Sequence, residues 1–358
     1  MNLVGIAEKR DLSDYSSPKR CTFVANNKNG VSNTYRFQNQ NYDFSANPAV
    51  SVSPRTGDGY AVCMSVKKDY SRGQLDLFRY DAKTNEWSRV STPILNTNGI
   101  PDKPVIVISE DGTALLAYLD ISKNKSRLNS KLKIFQISAH GQLLKEFGVD
   151  ATKGVETSFG IDGQQGIDIV YDAKRKRFII SYGTYGGKEL NICVLDLEQK
   201  ACKKQSTIRN ATLEVPITRL AVSQRGEIGI TSYDAHRFGD GAAYLLDGES
   251  LEIVSEKTFK NATLVTPFFK DDEFNYFYLQ QNGQGLNLRI SDTCNIPMGS
   301  EFGNNDYLGA YAASLNEKNE LTLLVPTTQK NFKTVNSDAC KLSTSLQNIP
   351  TSAVRGIQ

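Results

Sequence analysis

Acids near the starts of short apolar runs are the residues of this chain that could serve carbohydrate cleavage. Asp102, Asp168 and Glu214 each fall near the start of a short apolar run, and glycoside hydrolysis is commonly run by two carboxyl groups, one acting as acid and the other as base or nucleophile. Each acid also has a plainer use. Asp102 stands before Lys103 and Pro104, an order suited to a turn at a strand entry. The chain has only two histidines, His140 and His236, too few for a multi-histidine metal centre or a two-histidine mechanism. It has no HExxH, no CxxC and no glycine loop of the nucleotide-cradling kind. We therefore expect no metal and no cofactor.

The overall charge narrows the partners. Forty-two basic residues against 39 acidic ones give a formal charge of +3 in 358 residues, without the strong positive field that a phosphate backbone attracts. Nucleic acid is not an expected partner. No apolar run approaches the roughly 18–20 residues of a membrane-spanning helix, so no membrane span is expected. Six cysteines, an even and widely scattered set, suit an oxidising, extracytoplasmic setting. Cys193 and Cys202 flank the turn Leu195 to Lys200 and are read as a disulfide across one hairpin. Cys21 and Cys340 are read as a clasp between the chain ends.

Those groups must be positioned by short strands. Lys103 to Tyr118 (KPVIVISEDGTALLAY), Ile167 to Tyr182 (IDIVYDAKRKRFIISY) and Pro216 to Tyr233 (PITRLAVSQRGEIGITSY) repeat one pattern, as does Asn47 to Val66. In each, an apolar run meets a polar turn and then a second apolar run, which is a β-hairpin. Weaker copies follow at Pro267 to Leu279 and Tyr311 to Val325. A second hairpin follows each of the first four, at Leu75 to Val90, Leu132 to Phe147, Leu190 to Gln205 and Ala242 to Lys257. Taking Ser53, Ser109, Tyr171, Ser223, Lys270 and Leu315 as equivalent points gives a period close to the roughly 40–50 residues of a propeller blade, with loop insertions.

The expected fold is all-β: a single β-propeller of six four-stranded antiparallel blades, with seven as the other count. Residues 21–345 form the propeller, 1–20 a flexible N-terminal segment and 346–358 a C-terminal tail. The hairpin-like stretch Cys21 to Phe37 is read as the outer part of the last blade, closing the ends without exposed edges. Leu77 to Val90, with Tyr80-Asp81, Thr84-Asn85 and Trp87, resembles the outer hairpin of a kelch repeat. Tyr185-Gly186-Gly187 followed by Val194-Leu195-Asp196 resembles a kelch double-glycine blade. The resemblance implies the fold and carries no function with it.

In such a fold the connections from second to third strand gather on one face. They carry Tyr70, Arg72, Arg127, Tyr185, His236 and Arg237, and tyrosine and arginine are favoured at binding hot spots. The expected function is a non-catalytic module, secreted or surface-associated, that engages a protein or glycan ligand through that face. The alternative is a carbohydrate-active hydrolase using Asp102, Asp168 and Glu214. Asn124, Asn210 and Asn261 head N-x-S/T sequons that would carry glycans in a secretory pathway.

Overall fold

In the computed structural model the chain is described over residues 2–9, 19–26, 32–53, 55–68, 71–90, 95–97, 99–122, 131–147, 166–184, 189–198, 201–209, 216–234, 239–282, 285–292, 294–298, 312–315, 321–326, 332–336 and 341–347. Among these residues there is no helix, and the strands form seven antiparallel sheets in chain order. They divide between two compact units, Met1–Val155 with Thr351–Gln358, and Glu156–Pro350.

The first unit holds three sheets. The first is three-stranded, β1 (Asn2–Lys9), β2 (Lys19–Asn26) and β3 (Ser32–Phe37). The second runs β4 (Phe44–Val52), β5 (Gly59–Val66), β6 (Gly73–Asp81) and β7 (Glu86–Arg89), with the short β8 (Leu95–Thr97) also pairing β6. The third runs β9 (Gly99–Ile108), β10 (Ala114–Ser122), β11 (Lys131–Ile137) and β12 (Leu143–Phe147). Strand β5 shows why these sheets stack. It is buried along its whole length, and because side chains alternate across a strand it feeds two cores at once. Tyr60, Val62, Met64 and Val66 join Ile106, Ile108, Leu116 and Tyr118 of the third sheet. Ala61 and Cys63 join Cys21, Phe23 and Phe37 of the first.

The second unit holds four sheets, each a simple up-and-down path. They are β13 (Ile167–Asp172), β14 (Arg177–Thr184), β15 (Glu189–Asp196), β16 (Ala201–Arg209); β17 (Pro216–Val222), β18 (Ile228–Asp234), β19 (Gly241–Leu246), β20 (Ile253–Phe259); β21 (Ala262–Lys270), β22 (Glu273–Asn282), β23 (Gly285–Ile290), β24 (Cys294–Met298); and β25 (Ala312–Leu315), β26 (Leu321–Pro326), β27 (Phe332–Asn336), β28 (Lys341–Gln347). Ile179, Ile192, Leu220, Ile228, Ile230 and Tyr244 fill the core between the first two of these. Ile217, Tyr233, Phe259, Phe268, Phe277 and Tyr278 fill the next.

The repeat is visible in its turns. Ser109 donates its N–H to Thr113 O at 2.8 Å and receives Gly112 N–H at 3.2 Å; Ser223 does the same with Glu227 at 3.0 Å and Gly226 at 2.9 Å. Gly112 and Gly226 have φ of +87° and +80°, a region that a residue with a Cβ enters at a cost.

Five sheets of four strands, and a sixth in which β8 adds to a four-stranded path, match the six blades expected. The N-terminal hairpin is placed differently: the last sheet takes its four strands from β25 to β28, while Cys21 to Phe37 pairs within a sheet of its own. That makes a seventh sheet, three-stranded. The stretch 1–20, read as a flexible N-terminal segment, contains β1, whose Leu3, Val4 and Ile6 lie opposite Ala25, Val24 and Thr22 of β2.

Cys193 and Cys202 are bonded, with Cα atoms 5.6 Å apart, as their spacing suggests. Cys21 is bonded to Cys63, not to Cys340. β2 lies against the second sheet, and the pairing sits among Phe23, Phe37 and Phe78. Cys294 is also disulfide-bonded, and Cys340 lies outside the described residues.

Candidate functional site

Asp168 is the second residue of β13, the edge strand with which its sheet begins. Oδ2 accepts the backbone N–H of Leu220 on β17 at 2.7 Å, and Oδ1 accepts its own neighbour's N–H, Ile169, at 3.0 Å. Although the residue is only partly buried, its carboxyl is enclosed, and burial pushes its pKa up to about 6 against the opposing pull of Arg219 and the two N–H donors. Desolvation therefore outweighs everything that favours the charge. Beside it, Ser181 and Thr218 share a buried hydroxyl–hydroxyl hydrogen bond of 2.8 Å.

Arg219, on β17, is half-buried. Its Nη1 donates to Thr218 O at 3.1 Å, so the side chain turns back along its own strand. Its charge reaches Asp168, but the two form no ion pair. Motif reading passed over this residue, and the signal for it is modest: in PITRLAV it is the one charged residue of a first strand.

Asp102, also buried, belongs to the first unit. Its Oδ1 accepts the N–H of Lys103 at 2.9 Å, and Lys103 is itself buried with φ +52°. The pairing register of β9 with β10 shifts here, between Ala117 and Leu119. This is a β-bulge inside β9, not the turn at a strand entry that its sequence setting suggested. Glu214 lies outside the described residues. Asp168 is thus the one member of the acid set among the described residues of the second unit.

Of the proposed binding residues, Tyr70, Arg127, Tyr185, His236 and Arg237 lie outside the described residues. Arg72 is exposed on the β5–β6 connection. Its carbonyl accepts Lys67 N–H at 2.9 Å and its side chain hydrogen-bonds Tyr42. Lys67 Nζ stands 5.7 Å from the Tyr42 ring centre, and Lys68 N–H donates to Asp43 at 2.6 Å. Burial raises the Tyr42 phenol above its ordinary pKa, with Arg72 opposing. Beneath lies fully buried Asp76, which accepts from Asn39 at 3.2 Å, Ser65 at 3.0 Å and Gln74 at 2.9 Å, and from Arg89. Among the described residues no group of three or more His, Cys, Asp or Glu could hold a metal ion.

At the turns between first and second strands the second unit carries a cluster that motif reading missed. Asp172, enclosed, takes Arg175 Nη1 at 3.3 Å and Arg177 Nε at 3.0 Å. Arg175 goes on to Gly226 O at 2.8 Å and Glu249 at 2.7 Å, and Arg177 reaches Gly248 O. Two sheets are tied together by it.

No protein-family model matches the chain, and no curated protein matches it. Solved structures do. A protein of Bacteroides uniformis, provisionally described as a 6-phosphogluconolactonase, is similar at 13% identity and a TM-score of 0.58, covering 99% of this chain and 98% of its own. Hydrazine synthase of Kuenenia stuttgartiensis is similar at 14% identity and a TM-score of 0.51, covering 81% and 76%. The α-L-arabinofuranosidase Arb93A of Fusarium graminearum is similar at 12% identity and a TM-score of 0.47, covering 80% and 88%. At these identities the first two show a likeness of fold alone, an all-β propeller architecture, and the kelch family is not shown. In the β6–β7 hairpin Tyr80 pairs with Trp87, and Asp81 Oδ1 accepts the N–H groups of Lys83 and Thr84.

Proposed function

We propose that the chain is a carbohydrate-active hydrolase in which Asp168 is the proton donor. The observation that carries this is an enclosed carboxyl on a first strand whose pKa stands at about 6, where a carboxylic acid keeps part of its proton near neutrality and can act as a general acid. Oδ2 is committed to Leu220. Oδ1, held more loosely by Ile169, would carry the proton. In the step this supports, the proton passes from Oδ1 to the glycosidic oxygen as the bond from that oxygen to the anomeric carbon breaks, and water supplies the new hydroxyl. A second carboxylate must take the water's proton or form the covalent intermediate, and Glu214 is the member of the acid set nearest in sequence to β17. The Cys21–Cys63 and Cys193–Cys202 disulfides fit secretion. No helix among the described residues is long and apolar enough to cross a membrane.

The test is hydrolysis of a panel of neutral and acidic 4-nitrophenyl glycosides by the wild type and by Asp168→Asn, with near-ultraviolet circular dichroism to check the fold. Cleavage of one substrate by the wild type, lowered at least a hundredfold in a folded variant, is expected. Activity that survives the substitution would remove Asp168 from the mechanism.

A second reading, a non-catalytic module binding protein or glycan through the connection that carries Lys67, Lys68 and Arg72, is favoured by one observation. The Tyr42 and Asp43 contacts hold that basic edge in place while Arg72 stays exposed. On that reading Arg72→Ala weakens ligand capture and Asp168→Asn does not.

A further inference from the structure

We propose that Arg219 is a binding residue for an oxyanion, a carboxylate or phosphate carried on a sugar, so that the substrate is an acidic carbohydrate. The proposal rests on the hydrolase reading and extends it to substrate class.

Among the described residues, the other arginines of the second unit all have side-chain partners. Arg175 and Arg177 meet Asp172 at 3.3 and 3.0 Å, Arg209 meets Glu189 at 3.3 Å and Arg225 meets Asp272 at 3.3 Å. Arg289 donates to the Gln280 side chain at 3.2 Å. Arg219 has no carboxylate within ion-pair distance among the described residues, and it spends one N–H on a single carbonyl, at 3.1 Å. A guanidinium has five N–H donors in a planar fork. No Arg219 nitrogen is among the described side-chain atoms that are both buried and unpartnered, so its remaining donors are open to water and to an incoming ligand. The geometry of the fork matches the two oxygens of a carboxylate or phosphate.

Position supplies the second observation. Arg219 is in the interior of β17, the strand whose Leu220 N–H is bound by Asp168, and β17 contacts the first strands on both sides of it, β13 and β21. The charge of Arg219 is felt at the Asp168 carboxyl. A ligand anion seated on Arg219 would therefore lie beside the acid without competing for an existing ion pair. It would also offset the charge that favours ionised Asp168, which keeps the proton on the acid.

The test measures binding rather than turnover. By isothermal titration at pH 7, D-glucuronate, D-glucose 6-phosphate and neutral D-glucose are compared on the wild type, Arg219→Gln, Arg219→Lys and Asp168→Asn. The wild type should bind one of the two anions at least tenfold more tightly than glucose, and which anion it prefers separates carboxylate from phosphate. Arg219→Gln should lose the preference to within about twofold, while Arg219→Lys should keep part of it. Equal binding of all three sugars by the wild type would overturn the proposal whatever the variants do. So would a preference undiminished in Arg219→Gln. Asp168→Asn should retain the anion preference even when hydrolysis is lost. If hydrolysis survives in that variant and the anion preference is intact, the hydrolase assignment of Asp168 fails and the Arg219 site stands.

Discussion

At the scale of single residues, the account rests on a contest between burial and charge at Asp168. The unfolded aspartate titrates near 3.9, and the folded one at about 6. The fold therefore binds this proton more tightly than the unfolded chain does, so the group contributes stability that is fully present below about pH 4. That contribution is lost as pH rises through about 6. The whole span is worth at most about 3 kcal/mol, at about 1.4 kcal/mol per unit. Asparagine can still accept the Leu220 N–H and has no charge to bury. Asp168→Asn should raise the urea midpoint at pH 7.5 and change it little at pH 4; equal shifts at both values would show that the carboxyl is not the source. In the sequence, Asp168 was legible as a candidate because an acid near the start of a first strand stands out. The influence of Arg219 on it was not legible, since no spacing rule connects residues on two different sheets.

At the scale of elements, the turns and staples separate what is local from what is not. Cys193 and Cys202 lie on neighbouring strands of one hairpin, so their spacing announced the bond. Cys21 and Cys63 are 42 residues apart on strands of different sheets, and their pairing depends on which sheet β2 packs against. Peptide mapping without reduction should recover both bonds, and a Cys21–Cys340 peptide would contradict the placement of β2. Removing Cys21 and Cys63 together by alanine should cost about 2–4 kcal/mol, read from the unfolding midpoint. The Asp172 cluster makes a second prediction. Without Asp172, Arg177 has no carboxylate partner and Arg175 keeps Glu249 alone, so Asp172→Ala should destabilise by about 3 kcal/mol. A change under about 0.5 kcal/mol would mean the cluster is no more than a surface ion pair. Gly226→Ala should also destabilise, because φ is +80° there and the Arg175 guanidinium occupies the place of the added methyl.

At the scale of the whole molecule, the period of paired hairpins carried the fold, because an alternating pattern with turns at blade spacing has few other solutions. Far-ultraviolet circular dichroism should accordingly show dominant β-structure, and a strong helical spectrum would be incompatible with it. What the period could not place was the N-terminal hairpin, which reads alike whether it completes the last sheet or builds another. The function was less legible than the fold, since its residues come from different strands and connections and no single motif joins them. Two locations compete for the ligand, the stretch of β13 and β17 that carries Asp168 and Arg219 and the basic edge at Arg72. The direct test is a crystal structure of Asp168→Asn soaked with 4-nitrophenyl glucuronide, which that variant should leave uncleaved. The account predicts the uronate carboxylate on the Arg219 guanidinium, with the glycosidic oxygen within hydrogen-bond reach of residue 168. Density for the sugar at Arg72, with Arg219 unoccupied, would contradict it.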